Sequence, residues 1–408
     1  MSIRKQRDFV RIWSGQVVSN IGDGVHRIAL LWWASQTTGS NLALVLVALA
    51  SVVPTVLMAP LAGWLVDRLP RRGLMITSDA IRVATSATLA VLYAGGHLTT
   101  PIVVVIAAIA ACAASVFDPS LMASVTMLVK PDQLTTANSM IGGAGAVAGI
   151  VGPALGGVLI GAAGTGAALW LDAGTFLVSL LLVAASRIPQ PTAVESHEAT
   201  GGALAGWHLV RRDRGVRDLV VVASGLNFFA APMGVLIVAL AAGPLGLDGR
   251  GYGLLAACVP AGMLLGFLVA PRLAKFHSVA LASLVITGGA MAAAGAIALA
   301  GWTVGWMLIA GVGIGVTNAI IPSRFQAGVA PEVQGRVFAL ANALTQGGRP
   351  LGLLMAAPLL TGPGAQAGLV ICGAGLAVVG VVGRRGLTVV PTASAVPLTS
   401  AEIAASPA

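Results

Sequence analysis

Charge is scarce in this sequence. Asp, Glu, Lys and Arg make up 9% of its 408 residues, where an ordinary soluble domain carries about 25%, so a water-facing shell around a single core is excluded. Cysteine occurs three times, at Cys112, Cys258 and Cys372, each inside an apolar run. That placement excludes a disulfide framework and leaves the three as small packing residues. The chain also lacks a His-Glu-x-x-His metal signature and a Gly-x-x-x-x-Gly-Lys-Ser/Thr nucleotide loop. Without them no metal or cofactor is expected, and neither a metalloenzyme nor an ATP-driven pump fits.

What the sequence has is hydrophobic length. Hydrophobic residues reach 57% and the mean hydropathy is +0.93. About 20 apolar residues suffice to cross the hydrocarbon layer as a helix. Apolar runs place helices near 11–36, 42–66, 74–96, 101–122, 136–162 and 166–186, then near 216–242, 251–272, 279–300, 303–324, 336–361 and 365–383. The fold class is therefore an all-α membrane protein with twelve transmembrane helices in two pseudo-symmetric six-helix bundles. Arg4, Lys5, Arg7 and Arg11 precede a full-length first helix, which reads as an anchor rather than a cleaved signal.

A net charge of +9 raises the question of nucleic acid, and its placement answers it. The basic residues fall at the amino terminus, at Arg68, Arg71 and Arg72, at Lys130, and at Arg187, Arg211, Arg212, Arg214 and Arg217. They recur at Arg272, Lys275, Arg324, Arg336, Arg384 and Arg385, all in alternate loops of the twelve-helix reading, while the opposite loops offer only Arg250. Charge of this kind encodes orientation. It predicts a multi-pass protein of the plasma (cytoplasmic) membrane with both termini cytoplasmic, partnered by the lipid bilayer and not by nucleic acid.

The longest polar stretch, with Pro189, Pro191, Glu195, His197 and Glu198, lies mid-chain. The chain divides accordingly into a six-helix bundle over 1–186, a cytoplasmic linker over 187–215, a second bundle over 216–385 and a disordered tail over 386–408. An internal echo supports duplication. Pro119-Ser120, Val129-Lys130-Pro131-Asp132 and Ala137-Asn138 return in order as Pro322-Ser323, Val329-Ala330-Pro331-Glu332 and Ala341-Asn342.

Two motifs carry a family resemblance. Gly63-Trp64-Leu65-Val66-Asp67-Arg68-Leu69-Pro70-Arg71-Arg72, between helices two and three, resembles the signature loop of the major facilitator superfamily, with Pro70 where that family usually has glycine. Gly149-Ile150-Val151-Gly152-Pro153-Ala154-Leu155-Gly156-Gly157, in helix five, resembles the motif that marks exporters within it, with Ala148 at a position often glycine. Phe117-Asp118-Pro119, Leu171-Asp172-Ala173-Gly174-Thr175-Phe176 and Gly335-Arg336-Val337-Phe338 are similar to the branch of macrolide exporters and the enterobactin exporter. The resemblance implies proton-driven efflux of a drug-like or siderophore-like small molecule through a central cavity lined by helices one, four, seven and ten. An importer or facilitator, or a transporter-like sensor without flux, stands as the alternative. A single chain is expected to act as a monomer, with the small-molecule substrate and protons as its other partners.

Residues for that work are the polar ones inside the spans, because burying them in lipid is costly. In helix one Gln16, Asn20, Asp23 and Arg27 recur at spacings of four, three and four, which puts them on one face. Asp23 is the leading proton carrier, its charge expected to answer to Arg27 one turn away, with His26 beside it. A static Asp23/Arg27 brace is the competing reading. Cavity contacts are expected from Gln16, Asn20, Asn227, Phe228, Asn318 and Arg349, with Asp23 or Asp172 as partners for Arg349. Gly63, where a close helix contact is expected, joins Asp67, Arg68, Arg71 and Arg72 as the signature-loop gate, and Asp79 and Arg82 are read as an inner gate network beside it. Gly149, Gly152, Pro153, Gly156 and Gly157 form the helix-five hinge. Asp172 is read as a cap at the start of helix six, and Trp13, Trp32 and Trp33 as anchors at the membrane surface.

Overall fold

The structure is a computed structural model that describes residues 6–130, 133–188, 214–276, 278–328 and 331–384, without the side chains of 135, 214–216, 219, 322–328 and 331–343. The linker and tail expected from the sequence lie almost wholly outside the described residues. Among those residues the structure is helical throughout. Helices α1 (Arg7–Thr37), α2 (Asn41–Arg68), α3 (Arg71–Ala94) and α4 (Thr100–Leu128) come first. A continuous helical run Leu134–Ala184 follows, broken only at Gly164 with φ 79°. Its apolar portion of 49 residues would reach about 74 Å at 1.5 Å per residue, more than twice the hydrocarbon layer. It is therefore two crossings, α5 over 134–163 and α6 over 165–184, and only glycine takes the left-handed turn between them without strain.

After the linker, α7 (Arg214–Ala230) and α8 (Met233–Ala242) make one crossing interrupted at Ala231-Pro232, where the sequence suggested a single helix. Then α9 (Gly249–Leu273), α10 (Val279–Ala296), α11 (Ala300–Gly328), α12 (Pro331–Thr361) and α13 (Gly364–Val382) complete the chain. Among the described residues nine helical stretches are long and apolar enough to span a membrane. Splitting the run at Gly164 and adding α1, whose polar face lowers its hydropathy, and α12 gives twelve crossings. The two copies of the internal echo fall at matching places: Pro119 late in α4 and Pro322 late in α11, Ala137 early in α5 and Ala341 early in α12.

Local signals set the helix ends. Ser40 accepts a hydrogen bond from Ala43 N at 3.4 Å at the start of α2, and Asp248 accepts one from Gly251 N at 2.8 Å at the start of α9, as N-caps do. Pro101 sits in the first turn of α4, where its missing N–H has no consequence. In α3 the buried positions Met75, Ser78, Asp79, Arg82, Thr85, Ser86, Leu89 and Ala90 recur every three to four residues, so one stripe faces the core.

Within the first bundle α1 packs on α5, α2 on α4, and α3 on α4 and on the run that contains α6; within the second, α9 packs on α11, α10 on α11 and α13, and α12 on α7. Close approach rests on small residues, as membrane packing requires. A Cβ on Gly152 would stand 2.8 Å from Gly24 Cα, and one on Gly156 3.1 Å from Val25 Cα, which fixes α5 against α1. The same helix meets the second bundle on another face: a Cβ on Gly149 would lie 3.5 Å from Pro260 Cβ, and one on Gly157 2.6 Å from Gly253 Cα. The helix-five motif is thus a two-sided contact strip between α1 and α9. The helix continues unbroken through Pro153, and the sharp break lies at Gly164.

Further contacts join the bundles. Asn41 donates to Leu360 O at 3.2 Å, and the Trp32 ring stacks on Tyr252 with centroids 5.5 Å apart. The Gly149–Pro260 contact lies at mid-helix, and the other joints lie in the half of the molecule away from residues 6 and 384. Trp32 belongs to this joint and Trp33 is buried next to it in sequence, which corrects their reading as surface anchors. Trp13 donates to Met140 O at 3.0 Å and so ties α1 to α5.

Candidate transport site

The charged residues of the first bundle converge. Arg82 of α3 forms an ion pair with Asp23 of α1 and lies 3.8 Å from Asp79, one turn back on its own helix. Its guanidinium also rests 3.8 Å from the centre of the Phe176 ring in α6, a cation–π contact. Asp79 and Arg82 are buried, whereas the Asp23 side chain keeps 38% of its surface exposed. One end of this triad is wet and the other dry.

A second cluster adjoins it. His26 Nδ1 lies 2.8 Å from Asp172 Oδ2, and Ser86 donates to the same oxygen at 2.6 Å. Asp172 is fully buried. A Cβ on Gly22 would lie 2.9 Å from Asp172 Oδ1, so glycine there lets α1 approach α6 closely enough for His26 to reach the carboxylate. Three helices, α1, α3 and α6, are therefore cross-linked by charge at mid-depth.

Four expectations need correction. Asp23 pairs with Arg82 of the neighbouring helix rather than with Arg27, which is exposed and forms no ion pair among the described residues. Asp79 and Arg82 do not stand at the end of α3: they face inward from its third and fourth turns and pair within the triad. Asp172 is not a cap, since α6 begins at 165 and the residue sits two turns inside. Gly63 has open space where a Cβ would stand, so no close helix contact explains it here.

The rest of the signature loop has clear partners. Arg71 donates to Ala123 O at 2.7 Å near the end of α4, and Arg72 donates to Ala184 O at 2.6 Å at the end of α6. Arg11 adds a bond to Ala185 O at 3.0 Å. These cations satisfy carbonyls where the helix dipole is negative. Arg68 stands 4.5 Å from the centre of the Trp64 ring, and Asp67 is exposed.

Among the expected cavity residues, Gln16 is buried and donates to Asn20 Oδ1 at 2.9 Å. Asn227 donates to Ala223 O of its own helix at 3.0 Å, and Asn318 is exposed on α11. Phe228 meets Phe229 edge-on with centroids 5.0 Å apart. It also lines a groove of about 510 Å³ between α7 and α12, with Ser224, Gly225, Leu344, Gly347, Gly348 and Leu351. Arg27 and Arg349 are both exposed, and among the described residues neither forms an ion pair. Neither Asp23 nor Asp172 serves Arg349.

Sequence reasoning passed over Asp118. It is exposed on α4, and the charges of Arg82 and Asp23 act on it, so it belongs beside the triad. The signal was present, an ionisable residue in the middle of an apolar run, but it was absorbed into a motif. Ser86 was missed as well; its spacing of four from Arg82 was the available clue.

The family model described as Major Facilitator Superfamily matches residues 12–353. The chain belongs to that superfamily. It is 24% identical over 363 residues to macrolide efflux protein A of Streptococcus pyogenes, covering 86% of this chain and 88% of that protein. To the multidrug efflux pump Tap of Mycobacterium tuberculosis it is 29% identical over 377 residues, 85% of each chain. Among solved structures the nucleoside transporter NupG superposes with a TM-score of 0.75 at 13% identity, over 94% of this chain and all of that one. A bacterial homologue of the iron transporter ferroportin, in an inward-facing state, gives 0.72 at 15% identity over 95% of this chain. The fold is that of these carriers, and the protein is a multi-pass membrane transporter of small molecules, not an enzyme.

Proposed function

We propose that the protein exports an amphipathic, drug-like molecule from the cytoplasm in exchange for protons, by alternating access between the two bundles. The observation that carries this reading is the triad Asp23, Arg82 and Asp79: a half-exposed carboxylate shares one buried guanidinium with a fully buried carboxylate. Protonating Asp23 frees Arg82 to turn to Asp79, so proton occupancy and the α1–α3 contact are linked. An ion pair at the rim of a low-dielectric site is strongly sensitive to such a change. Asp118 supplies a third carboxylate within the same field, and the His26–Asp172 pair holds α1 to α6 while the first pair exchanges.

Direction is supported by the helix-five strip and by the curated relatives, both of which are exporters by their names. The bundles meet in the half away from the termini, and the basic residues crowd the terminus side, which the positive-inside rule makes cytoplasmic. On this reading the joint from Gly149 to Gly157 closes the outer side, and the cavity opens to the cytoplasm. The bundles span 1–186 and 216–385, joined by 187–215, and one chain forms a complete pathway in the plasma membrane.

The test is an efflux assay on cells with and without the gene, against macrolides, tetracyclines, siderophores and amphipathic acids. Compounds whose accumulation falls on expression, and rises again when a protonophore collapses the gradient, support proton-driven export. Accumulation that rises on expression for every affected compound would reverse the direction.

A further inference from the structure

Helices α1, α3 and α6 meet in two polar layers. In the first, the Asp172 carboxylate lies against the His26 ring and accepts a hydrogen bond from Ser86. Seven residues nearer the terminus side on each of the three helices stand Ser19, Asp79 and Ser179. The register holds through that step. A Cβ on Gly22 would lie 2.9 Å from Asp172 Oδ1, and one on Gly15, seven residues back, 3.4 Å from Ser179 Oγ. Arg82 rests over Phe176 between the two layers, which sets Asp79, one turn below Arg82, level with Ser179, one turn below Phe176. Ser19 falls between Gly15 and Gly22 on the face of α1 that meets α6.

The second layer is dry and short of donors. Ser19, Asp79 and Ser179 are each 0% exposed. Among the described residues neither Asp79 oxygen nor the Ser179 hydroxyl makes a hydrogen bond, although Ser179 acts on Asp79 across the space between them. Ser19 donates a long 3.4 Å bond to Gln16 O of its own helix, which leaves its oxygen lone pairs to accept. Arg82 approaches Asp79 only to 3.8 Å and gives its close contact to Asp23. A buried carboxylate left in this way is costly. Charge is also out of balance: Asp23, Asp79, Asp118 and Asp172 stand against Arg82 and His26, so a positive charge is wanting even with His26 protonated.

We infer that the layer of Ser19, Asp79 and Ser179 is a binding site for a sodium ion, held by the carboxylate and the two hydroxyl oxygens on the side of Asp79 away from Arg82. Its ligands are all oxygen, which suits a hard cation, and one carboxylate beside a guanidinium does not supply the charge and ligand number that calcium or magnesium takes. On the proposed exchange of cargo for protons, Arg82 turning to Asp79 expels the ion, so sodium and protons compete for the triad. That consequence rests on the carrier reading; the site does not.

The experiment follows the thermal midpoint of purified full-length protein in a neutral detergent as sodium chloride replaces choline chloride at constant ionic strength, with potassium and magnesium chloride as further arms. Sodium is expected to raise the midpoint saturably, potassium less, and magnesium and choline not at all. Ser19→Ala and Ser179→Ala are each expected to raise the half-saturating sodium concentration by about tenfold, the loss of one oxygen ligand, and Asp79→Asn to abolish the response. Ser86→Ala, in the first layer, should lower the unliganded midpoint and keep the sodium response, which general weakening of the bundle would not do. Should Asp79→Asn fail to fold, the two serine variants, each short of one oxygen, carry the test. A midpoint indifferent to sodium, a response that survives loss of both serines, or a midpoint that rises on acidification with no sodium response, which would put a proton in the layer, overturns the inference. The two levels separate in proteoliposomes. Sodium binding with no exchange of cargo keeps the site and removes the carrier reading, and proton-driven efflux from a protein indifferent to sodium removes only the site.

Discussion

Inside the first bundle the buried polar groups include Asp79, Arg82 and Asp172, tied through Asp23, His26 and Ser86 to three helices. Inside the second, among the described side chains, they are Ser283, Thr287, Thr303 and Thr317, neutral hydroxyls of which Ser283 and Thr317 bond each other at 2.8 Å. The second bundle is held instead by glycine. A Cβ on Gly266 would stand 2.9 Å from Gly315 Cα, and one on Gly262 2.9 Å from Gly311 Cα, so α9 and α11 touch backbone to backbone. Two halves that echo each other in sequence have thus diverged in what fills them. A charged interior can change its pairing when a proton arrives, whereas a glycine-packed one transmits motion as a rigid body. On the proposed exchange of cargo for protons, energy coupling falls to the first half, and the second moves against it as a block.

That contrast breaks most readily at Arg82. Replacing it with alanine strands Asp79 without its counter-ion, and a folding loss of about 3–5 kcal/mol is expected, read as a fall in the thermal midpoint and in membrane yield. His26→Ala removes the imidazole from a buried carboxylate that keeps Ser86 as its hydrogen-bond donor; a smaller loss of about 2–3 kcal/mol is expected by the same measurement. Gly315→Leu probes the other half. Its side chain would enter the α9 backbone near Met263, and overpacking of about 1–3 kcal/mol should appear as lower stability without a change in how transport depends on the proton gradient. If Gly315→Leu uncoupled transport from protons while keeping stability, the division of labour would be wrong. Gly63→Ala is the smallest case: with open space at the Cβ it should stay within about 0.5 kcal/mol, and any transport defect would point to a contact formed only in another state.

The fold was legible because lipid enforces simple rules. Length, hydropathy and the alternation of basic loops located the crossings to within a few residues for most helices, and the α7/α8 break at Ala231-Pro232 escaped only because its proline sits in an otherwise unbroken apolar run. The face of α1 with Gln16, Asn20, Asp23 and Arg27 was equally readable from its spacing. Partners were not. Arg82 is 59 residues from Asp23 and Asp172 is 146 from His26, and helical periodicity reports which side chains share a face, not which faces meet. Sequence nearness therefore favoured Arg27 for Asp23, while packing chose Arg82. Asp172 reads as a cap only while its partner is unknown: the expected span already begins near 166, and His26 reaches the carboxylate through packing.

The central claim, that proton binding at Asp23 drives the cycle, is tested most directly in everted membrane vesicles that carry a proton gradient reported by a quenched acridine dye. Addition of a compound identified by the efflux screen should release the quenching in vesicles with the unaltered protein, as protons leave in exchange for cargo. Vesicles with Asp23→Asn should show no release, while the same variant still exchanges labelled cargo across a membrane with no gradient. Release of undiminished size from the Asp23→Asn vesicles would contradict the account.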